Sequence, residues 1–258
     1  MCGMNEVTSE VQTGAVLPIA DAEMEAMLKA GVHLGHSKSK NHASMAQFLF
    51  GVRNGIAIID LIKTKEKFAT ALVFLKKIAA TKGIILLAGT RPAARKFILE
   101  VAEKTKMPYF VERWIGGTLT NFKVVSKRVE YMETLEREKA TGELAKYTKR
   151  EQLQKGVELE RLRKNFNGLR TLKRLPDAVF IVDTTHDTTA VREARRMGIP
   201  IVALVDSNAN VTQITYPIPA NDDALPAVRY MIGRIGQAIE EGIESAIFLS
   251  ADKAEKIG

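Results

Sequence analysis

The feature that most constrains this chain is the alternation of unbroken apolar runs with helical stretches. Ile84-Ile-Leu-Leu-Ala88, Ala178-Val-Phe-Ile-Val-Asp183 and Ile201-Val-Ala-Leu-Val205 are apolar at consecutive positions, not at every second one. A strand with two apolar faces needs cover on both, the pattern of a parallel sheet between helical layers. Ile56-Ala-Ile-Ile-Asp60 and Tyr109-Phe-Val-Glu112 read as two further strands. Helices are predicted over Ala22 to Ala30 (capped by Asp21), from about Thr64 to Ala80, and over Pro92 to Lys104, Thr188 to Met197 and Leu225 to Leu249. Gly31 to Ser44 reads as a loop rich in Gly, His, Ser and Lys. With right-handed crossovers the expected architecture is α/β, a flavodoxin-like doubly wound parallel sheet.

Between residues 120 and 175 this grammar changes. Phe122, Val125, Val129, Met132 and Leu135 recur at helical spacing, as do Leu159, Leu162, Phe166 and Leu169, with Ala140-Thr-Gly-Glu143 as a turn signal between them. Two amphipathic helices with complementary stripes predict an inserted antiparallel helical hairpin, each arm reaching on the order of 30 Å. The expected organisation is a flexible extension over residues 1–20, a discontinuous sandwich over 21–119 and 176–250, and the hairpin over 120–175.

Charge follows the same division. The hairpin segment holds 15 of the 38 Lys+Arg and 8 of the 30 Asp+Glu, so it carries nearly all of the net +8. A near-neutral body bearing one cationic arm points to a polyanionic partner. No apolar run approaches the ~18 residues of a bilayer span, and the N-terminus lacks the pattern of a secretory signal. The only cysteine, Cys2, can form no internal disulfide. A cytoplasmic protein without a membrane partner is expected.

Several residue groups were weighed for chemistry. Asp60, Asp183 and Asp206 each close a predicted strand, where carboxylates could serve a nucleotide-binding enzyme or simply cap the next turn. Ala88-Gly-Thr-Arg-Pro-Ala-Ala-Arg95 joins a strand to a helix but lacks both phosphate-loop signatures, so Arg91 and Arg95 are read as phosphate contacts to nucleic acid. His33, His36 and His42 cluster without a cysteine, and no metal is expected. In Arg113-Trp-Ile-Gly-Gly-Thr-Leu-Thr-Asn121, Trp114 either stacks on a base or wedges the hairpin base against the sandwich, the second reading being preferred.

Four segments carry a close resemblance to the bacterial form of the small-subunit ribosomal protein two family. They are Leu28-Lys-Ala-Gly-Val-His-Leu-Gly-His36; Arg113 to Phe122; Pro176 to Asp183, continuing through Asp187, Glu193 and Gly198-Ile-Pro200; and Val205-Asp-Ser-Asn208 with Ile218-Pro-Ala-Asn-Asp-Asp-Ala224. The resemblance covers roughly residues 22 to 243. It implies a non-enzymatic constituent of the small ribosomal subunit, ribosome-bound in the cytoplasm, contacting small-subunit ribosomal RNA and neighbouring ribosomal proteins. It also implies a part in docking ribosomal protein one, and some members have been associated with a zinc ion near that contact. The chain departs from the family at Ser37 to Met45, where many members carry an Asn-Pro-Lys run, and at Ala220, where glycine is frequent. With the positive charge, this gives Lys38, Lys40, Arg53, Arg91, Arg95, Lys123, Lys127, Arg128, Lys149, Arg150 and Lys164 as expected RNA contacts, with no cofactor and no small-molecule substrate. The competing reading is a nucleotide-binding α/β enzyme using Asp183 and Asp206. A third is a protein-interaction scaffold to which RNA is incidental.

Overall fold

The computed structural model describes residues 22–255; the extension over residues 1–20, with Cys2, and the capping role given to Asp21 lie outside them. In chain order the elements are α1 (Ala22–Ala30), β1 (Leu34–Ser37), β2 (Leu49–Arg53), β3 (Ile56–Ile59), α2 (Leu61–Ala80), β4 (Ile85–Ala88), α3 (Pro92–Thr105), β5 (Tyr109–Phe110), α4 (Phe122–Ala140), α5 (Lys149–Phe166), β6 (Ala178–Ile181), α6 (Thr188–Arg196), β7 (Ile201–Val205), β8 (Tyr216–Pro219) and α7 (Leu225–Glu255).

Five strands form a parallel sheet in the order β5-β4-β6-β7-β8. Renumbered within the sheet this is 2-1-3-4-5, the flavodoxin-like order, with its switch point between β4 and β6. Every residue of β4, β6 and β7 is buried, as their continuous apolar runs require. Alternate side chains serve two cores. Leu87, Phe180 and Leu204 face Phe68 of α2, Ile98 of α3 and Ile235 of α7. Leu86, Val179 and Ala203 belong to the opposite core, shared with Val191 of α6 and with Val125, Leu162 and Phe166 at the root of the hairpin.

One predicted strand lies elsewhere. β3 does not join the parallel sheet but forms a small antiparallel one in the order β1-β3-β2. The cause is the two-residue link between β2 and β3, where Asn54 and Gly55 have φ of 51° and 77°. Two positive φ values match the twist of a tight hairpin, and so short a link leaves no room for a parallel crossover. The segment read as a loop therefore contains β1. β8 escaped notice because it holds Pro217 and Pro219, which an edge strand tolerates.

The insert forms a helical pair. Val125, Val129, Met132 and Leu135 of α4 are buried, as are Leu159, Leu162 and Phe166 of α5, on the stripes the spacing gave. The reversal passes through Gly142 at φ 78°, and Thr148 with Glu151 makes a reciprocal capping box at the start of α5.

Candidate nucleic-acid interface

The hairpin is fastened to the body by one carboxylate. Glu193 of α6 is buried, and its oxygens accept hydrogen bonds from the amides of Gly117 (2.7 Å), Leu119 (2.9 Å) and Thr120 (3.2 Å), and from the Trp114 indole (3.2 Å). Burial pushes this carboxyl's pKa up, but the donated N–H groups outweigh it and hold it below its ordinary value. Gly117 sits at φ 90°, a conformation only glycine adopts without strain, which turns successive amides toward the same acceptor. Trp114 is buried against Phe110 at a ring-centroid distance of 4.9 Å, at the hairpin base. The segment from Arg113 to Asn121 is thus a clasp around Glu193.

Along the hairpin, several glutamates are engaged in ion pairs with particular basic groups. Glu136 takes Arg163 at 2.6 Å and Arg170 at 2.6 Å, and its pKa is lowered to about 2, chiefly by the hydrogen bond from Arg170. Glu138 lies 3.7 Å from Lys155. Lys123, Lys127 and Arg128 on α4, and Lys149 and Arg150 on α5, are exposed and make no ion pair among the described residues. The helical spacing of Lys123 and Lys127 puts them on the outward side of α4, opposite the buried stripe. Lys38, Lys40 and Arg53, on the small sheet and its flanking turn, are likewise exposed and unpaired among the described residues. The remaining three expected contacts differ. Arg95 donates to Glu112 at 3.3 Å, Lys164 lies 3.8 Å from the same carboxylate, and Arg91 is drawn into a carboxylate cluster.

That cluster occupies the C-terminal end of the parallel sheet. Arg91 pairs with Asp183 and Asp223 and lies 3.9 Å from Asp222, while His36 sits 3.0 Å from Asp206 and 3.1 Å from Asp223. Asp222 is buried, and desolvation, reinforced by Asp183 and Asp206, pushes its pKa up to about 8. Asp183 also accepts the amides of Thr185 (2.7 Å) and His186 (2.9 Å). Asp60 is not part of the group; it caps α2 through the amide of Ile62 at 3.0 Å. The strand-end carboxylates are therefore occupied in holding turns. At the switch point a crevice of about 600 Å³ is lined by Thr90, Arg95, Trp114 and His186, but Thr90 already donates to Asp187 at 2.9 Å and Arg95 to Glu112.

The three histidines do not converge. His42 is 2.7 Å from the Ser44 hydroxyl, His36 lies between two aspartates, and His33 is half-buried, its pKa lowered by desolvation. Among the described residues no group of three His, Cys, Asp or Glu side chains is arranged to hold a metal ion. The zinc associated with some relatives thus has no preformed ligand set here.

The model of the family Ribosomal protein S2 matches residues 27–242. The chain belongs to the Ribosomal protein S2 family. It is 42% identical over 231 residues to the small ribosomal subunit protein uS2 of Roseiflexus castenholzii, covering 90% of this chain and 88% of that protein. It is 43% identical over 220 residues to the uS2 of Fusobacterium nucleatum, covering 85% and 89%. With the uS2 of Pseudoalteromonas translucida it shares 40% identity over 235 residues, covering 91% and 97%. Among the described residues of this family member, no helix is long and apolar enough to cross a membrane.

Two groups of functional residues were not singled out from the sequence of this Ribosomal protein S2 family member. Glu193 was noted only within a matching segment, because nothing local signals that a helical glutamate will gather amides from a stretch more than seventy residues earlier. Arg192, Arg195 and Arg196 of α6 are exposed and, among the described residues, without an ion pair. Their clustering within one helix was a legible signal, overshadowed by the larger charge of the hairpin.

Proposed function

We propose that this protein is a structural, non-enzymatic constituent of the small ribosomal subunit that binds its ribosomal RNA. The observation that carries the reading is the set of exposed cations on the hairpin left over once the inward glutamates are paired. Lys123, Lys127, Arg128, Lys149 and Arg150 present charge to solvent from a rigid helical pair, with Lys38, Lys40 and Arg53 on the body beside them. Such groups fix position through phosphates, and specificity then comes from RNA shape. The occupied strand-end carboxylates argue against an enzyme built on Asp183 and Asp206.

The test measures binding of small-subunit ribosomal RNA as a function of salt. The combined change Lys123→Gln, Lys127→Gln, Lys149→Gln and Arg150→Gln is expected to reduce the slope of log K against log salt by about one unit per lost phosphate contact. A wild-type affinity indifferent to salt, or an unchanged slope in the variant, sinks the reading. A role in docking ribosomal protein one is favoured by the exposed apolar side chains of the small sheet: Phe50 is 82% exposed, and Leu34, Val52 and Ile56 are exposed around it. An association through that face survives digestion of the RNA.

A further inference from the structure

The structure assigns to this chain a second RNA-facing feature: a small cleft at the C-terminal ends of β6 and β7 that takes one unstacked nucleobase. The inference rests on the RNA-binding reading for the identity of its partner, but not for the existence of the cleft. The loops that follow β6 and β7 converge beside the first turn of α6 and enclose about 250 Å³. Thr184 and Asn208 line the cleft with their polar groups, Val191 and Ile214 supply apolar wall, and His42 and Arg192 complete it.

Two atoms in that lining point to a ligand. Thr184 is 7% exposed, and its hydroxyl has no hydrogen-bond partner; the side-chain oxygen of Asn208 is also buried and unpartnered. Native folds seldom leave such groups unmet, and each calls for explanation. The surrounding frame is fixed. The His42 amide donates to the Ser207 carbonyl at 2.8 Å, and the Val211 amide donates to the Ser44 hydroxyl at 3.1 Å, so the N-terminal loop is tied to the loop after β7.

The chemistry selects among occupants. No carboxylate lines the cleft, which disfavours a cation. The Asn208 oxygen is an acceptor, which disfavours a phosphate and favours a group bearing N–H. Apolar flanks with a hydroxyl and an amide between them suit a flat ring with a hydrogen-bonding edge. The volume is below the roughly 300–1,000 Å³ of pockets for drug-sized ligands, so it suits a ring system better than a whole nucleotide. Arg192, together with Arg195 and Arg196 on the same helix, is placed to meet the phosphates on either side of such a base. Bases splayed out of a stack are the usual targets of sequence-specific RNA recognition, so the cleft would let the body read one position while the hairpin only neutralises charge.

The test uses the full chain and small-subunit ribosomal RNA. Thr184→Val removes the hydroxyl at nearly constant shape and is expected to weaken binding about five- to tenfold, with the salt slope unchanged. Thr184→Ser keeps the hydroxyl and is expected to retain wild-type affinity. Equal affinities for Thr184→Val and the wild type overturn the proposal. A second arm needs no variant: methyl NMR of Val191 and Ile214 during titration with each of the four nucleoside monophosphates, with ribose 5-phosphate, and with inorganic phosphate. At least one nucleotide is expected to shift these methyls, and the two base-free compounds are not. No shift with any nucleotide, or an equal shift with phosphate, overturns the cleft assignment. Shifts with a nucleotide in a protein that fails to bind ribosomal RNA would instead overturn the ribosomal reading and leave the cleft standing.

Discussion

The hairpin and the C-terminal end of the parallel sheet solve the same electrostatic problem with opposite stoichiometry. In the hairpin one carboxylate, Glu136, is held by two guanidinium groups, Arg163 and Arg170. At the sheet end one guanidinium, Arg91, is surrounded by Asp183, Asp222 and Asp223. The first arrangement uses up few of the hairpin's anions and leaves many cations over, all facing outward. The second gathers anions beyond what its cations neutralise, and one of them, Asp222, responds by holding its proton. What differs is access to water. Surplus charge on the outside of a helical pair remains solvated and available to a partner, whereas surplus charge inside a fold is suppressed by desolvation. A basic composition therefore says little about function until it is known which side chains are already spoken for.

The comparison can be broken most severely at the point that joins the two regions. Glu193→Ala leaves the Gly117, Leu119 and Thr120 amides and the Trp114 indole without their acceptor, and is expected to cost about 3–5 kcal/mol in urea unfolding. A loss under about 1 kcal/mol would show that the clasp is not what seats the hairpin.

A sharper distinction comes from pH. Asp222 has a folded pKa raised from its ordinary 3.8 to about 8, so the folded state binds that proton more tightly than the unfolded chain. Its contribution is full below pH 3.8 and is lost as pH rises through 8. Asp222→Asn should flatten this decline, recovering about 1–3 kcal/mol at the alkaline end of a thermal or urea series. A wild-type curve that does not fall over this range contradicts the assignment.

Glu136 has the reverse sign and the smallest effect. Its pKa is lowered from 4.5 to about 2, so its contribution is present above pH 4.5 and disappears as pH falls through about 2. Glu136→Gln should change stability at neutral pH by about 1 kcal/mol or less, because the pairs it makes are partly open to solvent. The measurement is acid unfolding of variant and wild type side by side.

How much of this was legible depended on whether the deciding interaction was local. The apolar runs of β4, β6 and β7 and the two stripes of the hairpin were read from the chain because burial on two faces, or on one, leaves a direct imprint on residue order. β3 was identified as a strand but given to the wrong sheet, since the Asn54-Gly55 turn that decides its partner was not weighed. The exposed cations of the hairpin were named, yet composition did not show that Arg91 would be drawn inward by aspartates from the ends of other strands and the turn after β8. Thr184 and Asn208 carry no sequence signal at all; only the meeting of two loops makes their unpartnered atoms visible.

The clasp around Glu193 has a consequence for biosynthesis. The hairpin emerges from the synthesising ribosome well before α6, which supplies the anchor for its base. Until residue 193 is available, the amides of Gly117 to Thr120 have no carboxylate to gather around, and the paired helices can associate with each other without a settled direction relative to the sheet. The orientation of the nascent hairpin is therefore decided late, by a side chain that the helices themselves do not contain.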